Sequence, residues 1–98
     1  MKQQFMVGVR TEVGLKMAYT IDVSRGGVKV GSPLLLLPLG GQVELVIDKR
    51  GVKYPFSGRV AREDGSYYID RINRSVNAFF ISIEDARYPK FAIDNYYV

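Results

Sequence analysis

Asp22, Ser24 and Gly27 fall within one short run, Ile21-Asp22-Val23-Ser24-Arg25-Gly26-Gly27-Val28. A carboxylate that accepts hydrogen bonds, a hydroxyl that both donates and accepts, and two glycines lacking Cβ atoms make a small polar corner. Strand-like alternation leads into it. Met17, Tyr19, Ile21 and Val23 are apolar, while Ala18, Thr20, Asp22 and Ser24 interleave with them. Successive strand side chains point to opposite faces, so the pattern predicts Met17, Tyr19, Ile21 and Val23 inward. Asp22 and Ser24 then project together, away from the core, just before the chain reverses. One reading makes them local turn-formers, bonding nearby backbone groups while the glycines supply special φ values. The other makes them ligand contacts.

Composition narrows the chemistry. The chain has 98 residues, enough for one domain with a single modest core, and residues 1–98 are taken as that domain. There is no cysteine and no histidine. Disulfides, thiolate nucleophiles and zinc–sulfur sites are thereby excluded, as are Ser-His and Cys-His mechanisms. The acidic residues Glu63-Asp64 and Glu84-Asp85 come as adjacent pairs, which diverge in a strand and do not make a catalytic dyad. An enzyme is not expected, nor is a metal site or a cofactor.

Fourteen Lys and Arg against ten Asp and Glu leave a net charge of +4, which favours anionic partners without choosing among them. The charges are interspersed, and Lys53 and Arg59 share a strand face with Pro55 rather than with aromatic rings. That pattern fits a nucleic-acid surface poorly. The longest apolar run, Pro33 to Leu39, is too short to cross a bilayer. Met1-Lys2-Gln3-Gln4 leads straight into strand-like residues rather than a signal peptide, so a cytoplasmic location is expected.

The dominant period is two. Strands are predicted over Phe5–Val13, Lys16–Ser24, Val28–Val30, Gln42–Asp48, Val52–Arg62 and Ala78–Ile83, with an uncertain stretch from Ser66 to Asn77 beginning as strand at Tyr67-Tyr68-Ile69. Lys49-Arg50-Gly51 reads as a hairpin turn and Asp64-Gly65 as another. Pro55 suggests an edge or bulged strand. The leucine run forms an irregular apolar connection, and Tyr88–Tyr97 reads as a short helix entered through Pro89. Six or so short strands with a terminal helix predict an all-β fold, a small antiparallel barrel or sandwich.

At this point the chain resembles the PilZ domain family. Its signature, Asp or Asn, any residue, Ser, two residues, Gly, stands here as Asp22-Val23-Ser24-Arg25-Gly26-Gly27 at a strand end. Ser57-Gly58-Arg59-Val60 resembles the family's later Gly-x-Val strand, and Asn77–Ile83 its closing apolar strand. The resemblance implies a small six-stranded antiparallel barrel with a short C-terminal helix that binds the bacterial messenger cyclic di-GMP. It further implies that Asp22 accepts from a guanine edge, that Ser24 bonds phosphate or guanine, and that Gly27 lets the backbone approach the ligand.

The family's other signature, Arg-x-x-x-Arg ahead of the first strand, has no counterpart, since no arginine precedes Arg10. Guanidinium is the natural clasp for guanine edges and phosphates. The cationic share of the site therefore falls to Arg25, Arg10, Lys2 and Lys16. The resemblance implies a non-enzymatic receptor or adaptor serving motility, pilus or exopolysaccharide machinery, with weak ligand binding. The alternative is a degenerate module that has lost the messenger and acts by protein–protein contact, through surfaces such as Leu34–Leu37 and Tyr96-Tyr97.

Overall fold

In the computed structural model, residues 6–33 and 35–89 are described. Six strands follow one another: β1 (Met6–Thr11), β2 (Gly14–Ser24), β3 (Gly27–Ser32), β4 (Gln42–Lys49), β5 (Val52–Ile69) and β6 (Arg74–Ser82). They close into an antiparallel barrel in the order β1-β2-β3-β6-β5-β4, the β1–β4 pairing completing the ring. The predicted all-β barrel is the fold observed. The predicted C-terminal helix falls mostly on residues 90–98, outside the described residues.

The barrel is filled by β-branched and aromatic side chains. Val7, Val9, Val23, Val30, Leu45, Phe56, Val60, Phe79 and Ile81 are all buried. The leucine run plugs it by alternation, with Leu35 fully buried and Leu37 nearly so, while Leu36 between them is 79% exposed. The tip of the β4–β5 hairpin is the predicted one. Arg50 and Gly51 both have positive φ (54° and 81°), the geometry that lets a two-residue turn match strand twist.

The phase of β2 differs from the sequence expectation. Ala18 and Thr20 are the inward residues, both fully buried, whereas Met17 is 46% exposed and Tyr19 and Ile21 are half-buried. The apolar odd residues misled because Met17, Tyr19 and Ile21 coat the barrel's outside. A register shift between Thr20 and Asp22 then interrupts the alternation at Ile21, so that Val23 points in again opposite Val28. This bulge places two consecutive residues, Ile21 and Asp22, on the outer side. Ile21 is accommodated over a bare backbone, since a Cβ on Gly31 would meet its Cδ1 at 2.9 Å.

The second difference lies in β5. Asp64-Gly65 does not reverse the chain; β5 runs for 18 residues through it, absorbing the irregularity in two register shifts against β6. The reversal comes at Asp70–Asn73, where Ile72 and Asn73 donate back to the carbonyls of Ile69 and Asp70, and Asn73 has a φ of 54°. Asn tolerates that left-handed conformation better than most residues, a signal that Asp-Gly outcompetes on the page. Pro55 sits where the sequence suggested: this half of β5 pairs with β4, and its ladder to β6 begins only at Arg59.

The core assignment has a direct measure. Leu35→Ala is expected to cost about 2–5 kcal/mol in urea unfolding, as for other fully buried leucines, and Leu36→Ala less than about 0.5 kcal/mol. Equal losses at the two positions would contradict the plug.

Candidate ligand-binding site

The bulge sets the site. β2 leaves it with Asp22 outward and half-buried, then Val23 inward, then Ser24 outward and exposed. Asp22 pairs with Lys29 on β3, Lys29 with Phe80 on β6, and Phe80 with Arg62 on β5. Directly paired residues share a face, so these four form one outward row across four strands. Ser24, Gly27, Ser82 and Arg59 form the adjacent row.

Asp22 and Ser24 are thus neighbours on the outer face, and both make local bonds. Asp22 Oδ1 accepts from the Val23 amide at 3.1 Å, and Ser24 Oγ donates to the Gly27 carbonyl at 3.3 Å. These are the bonds of the turn-forming reading; a carboxylate and a hydroxyl each have acceptor capacity for more than one bond. Gly27 is buried, and its missing side chain makes room for β6. A Cβ there would lie 2.7 Å from Phe80 Cζ and well inside contact distance of the Ile81 carbonyl.

Of the cations expected to complete the corner, Arg25 is exposed in the turn itself. Arg10 is not brought there. It pairs with Leu15 and Glu44 at the other end of the barrel, seven strand residues or about 23 Å from Asp22, and with Lys16 lines a groove beside Leu36 and Pro38. Lys2 lies outside the described residues.

The structure supplies other cations that sequence reasoning missed. Lys29 Nζ donates to the Tyr67 hydroxyl at 3.0 Å, lies 5.0 Å from that ring's centroid, and pairs with Asp64 Oδ2 at 3.3 Å. The Tyr67 bond, more than any other contact, holds the Lys29 ammonium above its ordinary value. Arg62 bonds Asp64 Oδ1 at 2.8 Å while its guanidinium lies 4.4 Å from the Phe80 ring centroid. Burial alone would raise the Asp64 carboxyl, but Arg62 and Lys29 together hold it below its ordinary value. The result is an Arg62–Phe80 cation–π contact in the same outward row as Asp22, with Lys29 between them. Its signal was hidden because Arg62 meets Phe80 only after the β5 register shift.

The segment after β6 closes the other side. Ile83 N–H donates to the Gly26 carbonyl at 3.0 Å, and Tyr88 packs on Phe56 with centroids 5.1 Å apart. Asp85 Oδ2 accepts from the Ser57 amide at 2.8 Å and from Arg87 Nη2 at 2.8 Å. These bonds, the Arg87 side chain first, hold the Asp85 carboxyl far below the usual carboxylate range.

The outward Asp-x-Ser at a bulged strand end, over a six-stranded closed barrel, is matched by a family comparison. The model of the PilZ domain matches residues 1–84 of the 98. The chain belongs to the PilZ domain family. No curated protein and no solved structure is similar enough to count as a match. PilZ domains are receptor domains of the cyclic di-GMP-binding, adaptor type and are not catalysts. Among the described residues of this PilZ domain, no helix is long and apolar enough to cross a membrane.

Two outcomes check this geometry. Gly27→Ala should destabilise the PilZ barrel by about 1–3 kcal/mol through overpacking against β6, whereas Gly26→Ala, whose Cβ meets nothing within 4 Å, should be near neutral in thermal unfolding. For Asp85 the sign is that of a depressed carboxylate: its contribution is present above the ordinary value of 3.8 and lost as pH falls through the lower folded value. The Ser57 amide proton should therefore hold its chemical shift through pH 4 and move only below it. An inflection near 3.8 would contradict the pairing.

Proposed function

We propose that this PilZ domain is a non-enzymatic receptor for cyclic di-GMP, bound weakly at the outer corner of β2 and β3. The supporting observation is the bulge-exposed pair Asp22 and Ser24 beside a cationic, aromatic row. Asp22 accepts from guanine N1–H and N2–H, and Ser24 bonds phosphate or the guanine edge. Arg25, at the turn, supplies a charge-assisted bond to one of the two phosphates. The Arg62–Phe80 pair offers a surface for the second base, since guanidinium and ring faces both stack on purines.

Binding is weak because Arg62 and Lys29 share Asp64, so a dianionic ligand must compete for cations already in ion pairs. Arg10 is too distant to help. The signal then passes to a protein partner, in the class of motility, pilus or exopolysaccharide machinery, in the cytoplasm.

A second reading is favoured by the local bonds of Asp22 and Ser24 together with the exposed Leu36 and Leu39. In it the corner is purely structural and the domain acts by protein–protein contact alone. Titration calorimetry separates the two. Wild type should give saturable heat with cyclic di-GMP in the micromolar range. Asp22→Ala should weaken it by about ten- to a hundredfold, the ~1.5–3 kcal/mol of a hydrogen bond to a charged group. Silence into the high micromolar range, with a partner that co-purifies equally with and without the messenger, would establish the second reading instead.

A further inference from the structure

The β2–β3 turn is held from outside by the segment that follows β6. Gly26 accepts from the Ile83 amide at 3.0 Å, and the Tyr88 hydroxyl lies 3.1 Å from the Ser24 carbonyl and 3.4 Å from that of Gly27. Gly27 is also the acceptor used by the Ser24 hydroxyl, at 3.3 Å. One carbonyl therefore faces two hydroxyl donors, one from the signature serine and one from a residue 61 positions later. Tyr88 is in turn held in place. Its ring packs on Phe56, its amide donates to the Asp85 carbonyl at 3.0 Å, and Asp85 is pinned to the Ser57 amide and Arg87.

We propose that Tyr88 is a positioning residue for the corner, holding the Ser24 and Gly27 carbonyls, and with them the turn, in place when the Ser24 hydroxyl turns away to a ligand. The ligand part of this rests on the corner being the cyclic di-GMP site. The Ser24 hydroxyl bond to Gly27 is a side-chain tie across the turn that ligand binding through that hydroxyl gives up. With Tyr88 present, the turn keeps a second side-chain tie, on the same Gly27 carbonyl, when Ser24 moves to another acceptor. Tyr88 then settles more fully on Gly27, and the segment anchored by Asp85 tightens with it. Ligand at the corner and docking of residues 83–88 are thus thermodynamically linked, and the linkage is reciprocal.

Three variants test this. Tyr88→Phe keeps the ring on Phe56 and removes only the hydroxyl, so its melting temperature should stay close to wild type while cyclic di-GMP affinity falls about three- to tenfold. In a Ser24→Ala background the same substitution should have no further effect on affinity, because no serine hydroxyl then leaves Gly27. Without ligand, NMR should show the amides of Arg25–Val28 displaced in Tyr88→Phe. It should show the same amides displaced in Asp85→Ala, whose substituted side chain contacts Ser57 and Arg87 rather than the turn.

Equal affinity of Tyr88→Phe and wild type, an undiminished Tyr88 effect in the Ser24→Ala background, or unmoved Arg25–Val28 amides in both ligand-free variants would each overturn the proposal. Wild type giving no heat would remove the ligand reading of the corner. The ligand-free shifts would then decide the coupling by themselves, displaced amides supporting it and unmoved amides overturning it.

Discussion

One extra residue in β2 organises this domain's outer surface. Up to Thr20 the strand sends its even positions into the core, as the full burial of Ala18 and Thr20 requires. Continued unbroken, that phase would bury the Asp22 carboxylate, and an unpaired charge in a barrel interior is prohibitively costly. The register shift at Ile21 resets the phase, so Val23 fills the core and Asp22 faces outward with Ser24. Everything at the corner follows from this. The row Asp22–Lys29–Phe80–Arg62 exists only because the bulge aligns Asp22 with the outward positions of β3, β6 and β5.

The same logic recurs on the opposite side of the sheet. β5 slips register twice against β6, and those slips bring Arg62 over Phe80 and Asp64 between Arg62 and Lys29. A regular barrel would keep one face dry and one face wet along every strand. Here irregularities on two strands concentrate cations, a carboxylate and an aromatic ring beside the signature turn. Bulges bend and re-aim strands at functional surfaces, and this domain uses them on both flanks of its candidate site.

Much of this was legible in the residues, and the failures are instructive. Alternation located all or part of each strand, and the hairpin at Arg50-Gly51 was readable because turn chemistry there is local. Pro55 correctly marked a strand half with one neighbour. The phase of β2 was misread because Met17, Tyr19 and Ile21 are apolar yet lie on the outside, which a period of two cannot distinguish from the inside. Asp64-Gly65 looked like a reversal because Gly65 does adopt a positive φ (77°), but inside a strand rather than at its end. Spacing alone put Asp22 and Ser24 outside the core, as the structure has them. Lys29, Arg62, Phe80 and Tyr88 were not found, since their meeting depends on register and on contacts across many residues.

The bond from Ser57 to Asp85 has a consequence for how molecules of this domain behave in company. The first half of β5 has β4 on one side and, among the described residues, no strand on the other. Such a border is a template on which another chain can extend the sheet. Pro55 offers no amide there, and the Ser57 amide is already occupied by a carboxylate whose own charge is answered by Arg87. Two successive positions of the same polarity along that border are thus closed to an incoming strand. Sheet extension along this border would have to do without both of those amides.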